Sequence, residues 1–358
     1  MPKVAVIYHK GHKQHDPTKY GYPSPERVER VERILEFLKQ KNIFERGDCN
    51  LVKPIPSTKE DLLRVHTPRL LEFIENYNKS KKVFFGHDTC IGKGTYNACL
   101  LSAGGAITAA KSVLHNKYDY SFALIRPPGH HSKEDKFAGF CVVNNAAILA
   151  KYLKEKEGLK RIMILNIDAH ASNGTSKIFY SDAKVLCVSM HQSPKDFYPF
   201  EGFMNEIGKA PATGYTINIE MPPESGDAEY LKNFDEIVIP IRDQFKPEFI
   251  IIECGFDSHY ADPISKLNLT SKGYYAMTKL LAEKAKNKLT FLLEGGYVTK
   301  ILSRQTYSII NALTNRKVLL EGEAESVDLA FARETKCIKK YEENLKELKS
   351  IIGDYWRV

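Results

Sequence analysis

Residues 162–175 read IMILNIDAHASNGT, an apolar run that leads directly into Asp168 and His170. A short run that is apolar throughout is typical of a strand buried on both faces, as in a parallel sheet. Asp168 and His170 are two positions apart, so an extended strand end directs both side chains to the same side. In α/β sheets, sites form beyond the carboxyl ends of the strands. The segment therefore predicts an α/β fold with a polar site at one edge of the sheet.

The same alternation of apolar runs and helical stretches extends along the whole chain. Further apolar runs span 4–8, 121–125, 185–190, 216–219, 249–254 and 289–293. Helical periodicity follows at 96–114, 145–156, 271–287 and 334–352, and in a helix after Ser24 as N-cap with Pro25 in its first turn. Strands that alternate with helices indicate a mainly parallel sheet with helices on both faces. No linker or repeat divides the sequence, which favours one continuous domain.

The composition excludes several classes of protein. The chain has 358 residues, 43% hydrophobic and 27% charged, so it can build a large core and is neither disordered nor fibrous. No apolar run approaches the roughly 18 residues of a membrane span. The net charge of +8 comes from scattered Lys and Arg residues, which is typical of a solvated surface rather than a nucleic-acid interface.

The cysteines and the N-terminus predict a cytoplasmic protein. The seven cysteines are odd in number and none has C-x-x-C spacing, which favours free thiols in a reducing compartment over a disulfide scaffold or zinc ribbon. The apolar run 4–8 precedes a basic stretch, whereas a secretory signal has the opposite order. We therefore interpret residues 4–8 as the first strand.

Polar residues follow the predicted strand ends and suggest one shared site. The segments are RPPGHH (126–131), DAH (168–170), His191, GFDSH (255–259) and EGGY (294–297). Asp168, His170 and Asp257 supply one imidazole and two carboxylates. Three such ligands leave a position open, which is the pattern of a catalytic zinc site, and Fe²⁺ is an alternative ion. The alternative interpretation is that Asp168 caps a helix and His170 is an ordinary loop histidine.

The tandem histidines and a tyrosine add catalytic groups to this pattern. His130 and His131 follow two prolines and a glycine, and paired imidazoles can act as general base and general acid. Tyr297 follows two glycines and can donate its hydroxyl to a developing oxyanion. Taken alone, a His pair is more often surface or core filler and Gly-Gly-Tyr is more often a turn.

Taken together, these segments resemble the zinc-dependent histone deacetylase family, including the acetylpolyamine amidohydrolases. The matching segments are RPPGHH (126–131), GFCVVNNAA (139–147), DAHASNGT (168–175), FYPF (197–200), GFDSHYADP (255–263), LNLT (267–270) and LEGGY (293–297). The resemblance covers roughly residues 1–300. It implies a single-domain, three-layer arginase–deacetylase fold over residues 1–358, with a core over 1–315 and a C-terminal helical extension over 316–358.

The resemblance also implies a role for each matching residue. The implied metal ligands are Asp168, His170 and Asp257, and the implied catalytic groups are His130, His131 and Tyr297. The implied substrate contacts are Asp88 at the rim of the tunnel, the aromatic pair Phe140 and Tyr198 along its walls, and Gly139 at its floor. One zinc ion per chain would activate water for amide hydrolysis. His131 would be the general base and proton shuttle, with His130 assisting.

The sequence departs from the family pattern behind the ligands and at the gate. Asn166 replaces an aspartate that partners the first histidine and helps hold a monovalent cation such as K⁺, so that cation is in doubt and the pKa of His130 should fall. Ala171 and Ser172 change the surroundings of Asn173, which with Asn166 is expected to support the catalytic groups. Ile264 stands at the gate position where one polyamine-selective branch has a glutamate.

The sequence therefore predicts a metal-dependent amide hydrolase that removes an acyl group from a lysine side chain or a small amine such as a polyamine. FYPF followed by Glu201 and Gly202 is closer to the polyamine amidohydrolases. A catalytically weak acyl-binding relative and a two-metal ureohydrolase remain alternatives, although Asn166 removes a bridging carboxylate that the latter needs. We expect neither nucleic-acid nor membrane partners, and a homo-oligomer through the C-terminal helix is an open alternative.

Overall fold

An eight-stranded parallel sheet forms the middle layer of the protein. The computed structural model describes residues 1–80, 82–285, 288–317 and 335–358. The strands are β1 (Val4–Ile7), β2 (Cys49–Val52), β5 (Tyr120–Ala123), β6 (Ile162–Asn166), β7 (Val185–Gln192), β8 (Thr216–Met221), β9 (Phe249–Cys254) and β10 (Leu289–Leu293), with a separate two-stranded hairpin of β3 (Phe84–Phe85) and β4 (Cys90–Ile91). The sheet order is β2-β1-β5-β10-β9-β6-β7-β8, and every pairing in it is parallel.

Helices cover both faces of this sheet. They are α1 (Glu29–Gln40), α2 (Lys59–Leu63), α3 (Pro68–Lys79), α4 (Thr95–Leu114), α5 (Asn145–Lys156), α6 (Asn173–Ile178), α7 (Asp227–Asn233), α8 (Ile239–Phe245), α9 (Ser271–Ala285), α10 (Thr299–Leu313) and α11 (Thr335–Ile352). Alternate residues of β1 enter different cores: Val4 packs with α1, α9 and α10, whereas Ala5 packs with α3, α4 and α5. This alternation is the period of two of a strand buried on both faces, and the predicted three-layer α/β fold is confirmed.

The predicted start of the first helix is wrong. Helix α1 begins at Glu29, and the Ser24 hydroxyl instead accepts a hydrogen bond from the backbone N–H of Glu26 at 3.2 Å within a preceding turn. The carboxylate of Glu26 is buried and accepts hydrogen bonds from Arg126 at 2.5 and 2.7 Å and from Arg30 at 3.0 Å. A buried carboxylate must be paired, so this tertiary contact determines the backbone of residues 24–28.

The other predicted elements agree with the structure to within a few residues. The edge strand β2 was not predicted, because its half-exposed sequence CNLV carries little apolar signal, and helices α2, α3, α6, α7, α8 and α10 and the β3–β4 hairpin were not predicted either. Helix α11 packs Tyr341, Leu345, Leu348 and Ile352 against the domain and ends before Gly353, as predicted. The predicted helix residues 286–287 and 334, and residues 318–334 of the proposed extension, lie outside the described residues. In the part of the chain that the structure describes, no helix is long and apolar enough to cross a membrane.

The strands that lead into the predicted site lie side by side. They are β5, β10, β9, β6 and β7, which are consecutive in the sheet although their order in the sequence is different. Parallel strands direct their carboxyl ends to one edge, and the crossover helices separate neighbouring strands in sequence. The fold therefore gathers the segments 126–131, 168–170, 255–259 and 294–297 at one edge of the sheet.

Candidate metal centre and active site

Three buried side chains converge at the carboxyl end of β6 and β9. Asp168, His170 and Asp257 have ligand atoms that all lie within 4.8 Å of one another. Nδ1 of His170 lies 3.0 Å from Oδ1 of Asp168 and 3.0 Å from Oδ2 of Asp257. Zinc bonds of about 2.0–2.2 Å imply tetrahedral ligand atoms roughly 3.3 Å apart. The spacing of these donors therefore fits a divalent cation held by one imidazole and two carboxylates.

Backbone contacts orient both carboxylates. Asp168 accepts hydrogen bonds from the N–H of His170 at 2.9 Å and of Gly295 at 2.8 Å, and Asp257 accepts one from the N–H of Ala169 at 2.9 Å. Oδ2 of Asp257 is buried, and among the described residues no donor reaches it with good hydrogen-bond geometry, although Nδ1 of His170 lies 3.0 Å away. A buried carboxylate oxygen without a donor is costly, and a cation at this position would satisfy it.

Glycine is required where the backbone approaches these carboxylates. A Cβ atom on Gly255 would lie 1.9 Å from Oδ2 of Asp168, and one on Gly295 would lie 2.4 Å from Oδ2 of Asp257. Both distances are far below van der Waals contact. The two glycines that the sequence places beside the ligands therefore let the strand ends close around the carboxylates.

The electrostatics of His170 also indicate a cation site. Burial lowers the pKa of His170, but the hydrogen bonds and charges of Asp168 and Asp257 raise it to about 10. The pair of carboxylates thus stabilises positive charge at this point, whether on a proton or on a metal ion. The alternative in which Asp168 caps a helix is wrong, because α6 begins at Asn173 with Ser172 as its N-cap residue.

A second group of potential ligands lies close by but is already used for support. Atoms of His130, Cys141 and Glu294 also lie within 4.8 Å of one another. Oε2 of Glu294 accepts hydrogen bonds from the N–H of Gly129 at 2.7 Å and of His130 at 3.2 Å. Sγ of Cys141 accepts one from the N–H of His131 at 3.4 Å. These side chains hold the backbone of the histidine loop, so we assign the metal to the other group.

The tandem histidines lie against the three donors. The rings of His130 and His131 have centroids 3.9 Å apart, and that of His131 is 5.7 Å from that of His170. Nε2 of His130 is 3.9 Å from Oδ1 of Asp168. Burial lowers the pKa of His130 to about 3 and that of His131 well below its usual range. Both rings are therefore neutral, and for His130 the main cause is burial rather than the exchange at Asn166.

Tyr297 is fixed by its backbone and by its ring. Its N–H donates to Oδ2 of Asp262 at 2.7 Å, and its ring packs edge-on against Phe140 and beneath the guanidinium of Arg30. Burial and the charges of Asp257 and Asp168 raise the pKa of the Tyr297 hydroxyl well above its usual value. The hydroxyl thus stays protonated and can donate a hydrogen bond.

The predicted substrate contacts separate into an inner group and an outer residue. Gly139 has a φ of 57°, and a Cβ there would lie 2.3 Å from the ring of His131, so the floor position requires glycine. The ring of Tyr198 lies edge-on to that of His131 at 5.0 Å. The N–H of Phe140 donates to the hydroxyl of Thr89 at 3.0 Å, and that hydroxyl donates to Asp88 at 2.8 Å. Gly139 and Tyr198 therefore lie directly against His131, and Thr89 links Phe140 to Asp88.

Ile264 lies farther out. It is half-buried in a groove of about 570 Å³ that it shares with Phe197, Phe203 and the C-terminal helix. Its N–H donates to Oδ1 of Asp262 at 3.1 Å, the same side chain that holds the backbone of Tyr297. Its place in the structure is the wall of this groove, beside the loop that carries Phe197 and Tyr198.

The residues around Asn166 do not fit a monovalent cation. Nδ2 of Asn166 donates to the carbonyl oxygen of His170 at 2.8 Å and to Oγ of Ser189 at 2.9 Å. A cation at this position needs oxygen ligands that face it, and here an N–H donor stands between the two oxygens. The amide thus makes the contacts itself and holds the loop that carries His170.

Replacing Asn166 by aspartate should create a cation requirement that the wild-type chain lacks. The carboxylate would face two acceptor oxygens, and each lost hydrogen bond in a buried site costs roughly 1–3 kcal/mol. We expect Asn166→Asp to lower the melting temperature in choline chloride and to recover part of that loss in KCl at equal ionic strength. Asn166→Ala removes the amide without adding charge and should respond to K⁺ as the wild type does. A K⁺ response that is larger in the wild type than in Asn166→Ala would contradict this assignment.

Several structurally important residues were not singled out from the sequence. The ring of Phe197 stacks on His170 with centroids 4.6 Å apart, and Glu294 supports the histidine loop. Glu253 is fully buried and accepts hydrogen bonds from the hydroxyls of Thr175, at 2.5 Å, and of Ser172. An acidic residue inside the apolar run FIIIEC was the available signal for Glu253, and the motifs FYPF and LEGGY contained the other two.

The chain is similar to several known proteins. A family model described as a histone deacetylase domain matches residues 24–313. A probable deacetylase of Archaeoglobus fulgidus is 39% identical over 363 residues, which cover 99% of this chain and 99% of that protein. Histone deacetylase HDA1 of Saccharomyces cerevisiae is 35% identical over 82% of this chain, which spans only 45% of the yeast protein. Among solved structures, the HDA15 HD domain matches with a TM-score of 0.88 and 29% identity, over 99% of this chain and 95% of that one.

Proposed function

We propose that this chain, which belongs to the histone deacetylase family of metal-dependent deacetylases, removes an acyl group from a lysine side chain or a small amine such as a polyamine. The acyl group is most simply acetyl. The proposal rests on the family membership and on the geometry of the site. The observation that carries the proposal is the meeting of the His130–His131 pair with Asp168, His170 and Asp257. A set of two carboxylates and one imidazole next to two neutral imidazoles suits hydrolysis of an amide by activated water.

The residues of this chain divide the chemistry between them. Asp168, His170 and Asp257 would hold a divalent cation, which we propose to be one zinc ion per chain with Fe²⁺ as the alternative, and the ion would polarise the amide carbonyl and lower the pKa of water towards about 7. Nδ1 of His131 pairs with Oδ1 of Asn173 at 2.7 Å, which leaves Nε2 to take a proton from water and pass it to the departing amine. Tyr297 donates its hydroxyl to the oxygen that becomes negative.

The approach to the site suits a flat or linear acyl amide. The rings of Phe140 and Tyr198 would form aromatic walls, Gly139 would form a floor without a side chain, and Asp88 at the rim would accept hydrogen bonds from amide N–H groups. Ile264 offers no charge that could pair with a cationic amine. We propose that the partner is a small acylated amine or an acyl-lysine, encountered in the cytoplasm, with no part played by nucleic acid or membrane; a homo-oligomer stays an open prediction.

Hydrolysis of a panel of amides tests this function. The zinc-loaded protein is offered acetyl-lysine peptides, acetylated polyamines and longer-chain acyl-lysines, and the released amine is measured for each. Turnover of at least one class supports the proposal, and the preferred class identifies the branch of the family. No turnover of any member, with zinc and a hydroxamate still bound, would contradict it and favour the weak acyl-binding relative suggested by Asn166, Ala171 and Ser172.

Removal of one hydroxyl should separate the enzyme from a binder. We expect Tyr297→Phe to lower kcat by about 10²–10³-fold, because the loss of one oxyanion donor typically has this effect, while metal content stays unchanged. Steady-state kinetics and metal analysis check both quantities. Tyr355→Phe makes the same change at a residue that is 43% exposed and serves as the matched control. A Tyr297→Phe variant with wild-type kcat would exclude the assigned role.

A further inference from the structure

A line of polar side chains leads from His131 to the protein surface. Oδ1 of Asn173 lies 2.7 Å from Nδ1 of His131, and Nδ2 of Asn173 donates to Oε2 of Glu201 at 2.9 Å. The ammonium of Lys133 donates to both oxygens of Glu201 at 2.9 and 2.8 Å. His131 is buried, whereas the side chain of Glu201 is 46% exposed. The line thus connects the general base to a surface carboxylate that the catalytic assignment does not use.

The donors and acceptors in this line allow only one arrangement. An ionised carboxylate can only accept hydrogen bonds, so Glu201 must face the NH₂ group of Asn173. Partial burial raises the pKa of Glu201, but the hydrogen bonds from Lys133 and Asn173 lower it below its usual value, so the carboxylate is ionised. The carbonyl oxygen of Asn173 then faces His131, whose Nδ1 must carry the proton. Nε2 of His131 is therefore the free base.

The packing of the loop that carries Glu201 is linked to a departure from the family pattern. Gly202 has a φ of 93°, and a Cβ on it would lie 2.5 Å from Cβ of Ala171. The carbonyl oxygen of Gly202 also pairs with Nε2 of His191 at 2.9 Å. The loop that carries Glu201 therefore lies directly against Ala171, and glycine is needed at 202 for this close approach.

We propose that Glu201 is a positioning residue that orients the Asn173 amide and thereby selects the catalytic tautomer of His131. Without a carboxylate at 201 the amide can rotate, because its oxygen and NH₂ group have nearly the same shape. The rotated amide would donate to Nδ1 and place the proton of His131 on Nε2, where it blocks proton abstraction. The inference rests on the proposed function, since it assigns a role within the same hydrolysis.

A pair of substitutions at Glu201 tests whether an acceptor is needed. Glu201→Leu removes the acceptor, and we expect kcat to fall by about 10–100-fold, as is typical when a group that supports a catalytic residue is lost, with a smaller change in KM. Glu201→Gln retains an oxygen that can accept from Asn173 and should keep most of the activity. Glu343→Leu, at a side chain that is 54% exposed on α11, is the matched control for losing an acidic side chain.

The tautomer itself gives a readout that needs no substrate. In protein labelled with ¹⁵N-histidine and loaded with zinc, we expect the His131 signals to report a protonated Nδ1 in the wild type and a shift towards protonated Nε2 in Glu201→Leu. The double variant Asn173→Asp with Glu201→Gln exchanges the positions of the amide and the carboxylate. The carboxylate at position 173 would then accept hydrogen bonds from Nδ1 of His131 and from the amide NH₂ group at position 201. It should restore both the tautomer and most of kcat.

Two results would overturn the inference. One is an unchanged His131 tautomer in Glu201→Leu; the other is a Glu201→Gln variant as defective as Glu201→Leu, which would show that charge and not orientation matters. Failure of the proposed function is distinguishable, because it would appear as no turnover of any amide while the ¹⁵N signals still responded to position 201. Melting temperature and zinc content identify a variant that has simply misfolded, and the double variant then decides.

Discussion

Asp257→Ala is expected to abolish zinc binding and amide hydrolysis together. The substitution removes the buried Oδ2 that lies 3.0 Å from Nδ1 of His170, together with the oxygen that accepts the N–H of Ala169. A bound cation typically stabilises the charge of the transition state by several kcal/mol, and each 1.4 kcal/mol changes the rate about tenfold. We therefore expect the rate of amide hydrolysis to fall by about 10³-fold or more. Metal analysis after dialysis and the rate with the preferred amide measure the two effects.

Two further variants separate the loss of a ligand from general damage. Asp257→Asn keeps an oxygen for the N–H of Ala169 and nearly the same shape but removes the charge, so it should retain the fold and still bind zinc weakly. Asp243→Ala removes a carboxylate that is 46% exposed and should behave as the wild type. Full zinc content and wild-type turnover in Asp257→Ala would show that the cation is held elsewhere, and the group of His130, Cys141 and Glu294 would be the next to test.

His131→Ala is expected to lose turnover while it keeps the metal. His131 is buried, neutral and paired through Nδ1 with Asn173, so Nε2 is the base that the site provides. Loss of a general base typically lowers the rate by about 10²–10⁴-fold. Because His131 is not one of the three assigned ligands, zinc content should remain that of the wild type. Added imidazole should restore part of the rate by occupying the space of the missing ring.

The control for this prediction is a histidine on the surface. His115→Ala removes a ring that is 47% exposed and should change neither kcat nor zinc content. His130→Ala should lower the rate less than His131→Ala if His130 only assists. The reverse order of effects would contradict the assignment of His131 as the base and move that role to His130.

Local patterns were sufficient for seven of the eight strands of the central sheet and for the polar residues at its carboxyl edge. Continuous apolar runs predicted the central strands because burial on both faces leaves no polar alternation to obscure them. Chemically active residues directly after these runs pointed to the carboxyl edge, where parallel strands meet. The resemblance to the histone deacetylases then supplied a role for each residue, and the similarity to deacetylases over the whole chain confirms the family.

The misses involve residues whose neighbours are distant in sequence. Ser24 looked like an N-cap, but Glu26 is drawn to Arg126, a hundred positions away, and α1 starts later. Glu253 pairs in register with Asn166 on the neighbouring strand, and its hydroxyl partners are Ser172 at the N-cap of α6 and Thr175 in the first turn of that helix. Neither pairing leaves a periodic signal, because the partners are brought together only when the strands assemble.

The sequence by itself determined the α/β class, the family and the identity of the candidate ligands, because each depends on short motifs and on the period of apolar residues. Only the tertiary structure decided how the support behind the ligands is arranged. It shows that the Asn166 amide donates to the carbonyl oxygen of His170 and to Ser189, that Gly202 packs on Ala171, and that Glu201 meets the amide of Asn173. Hydrogen-bond direction depends on which donor meets which acceptor across the fold, and spacing along the chain carries no record of that.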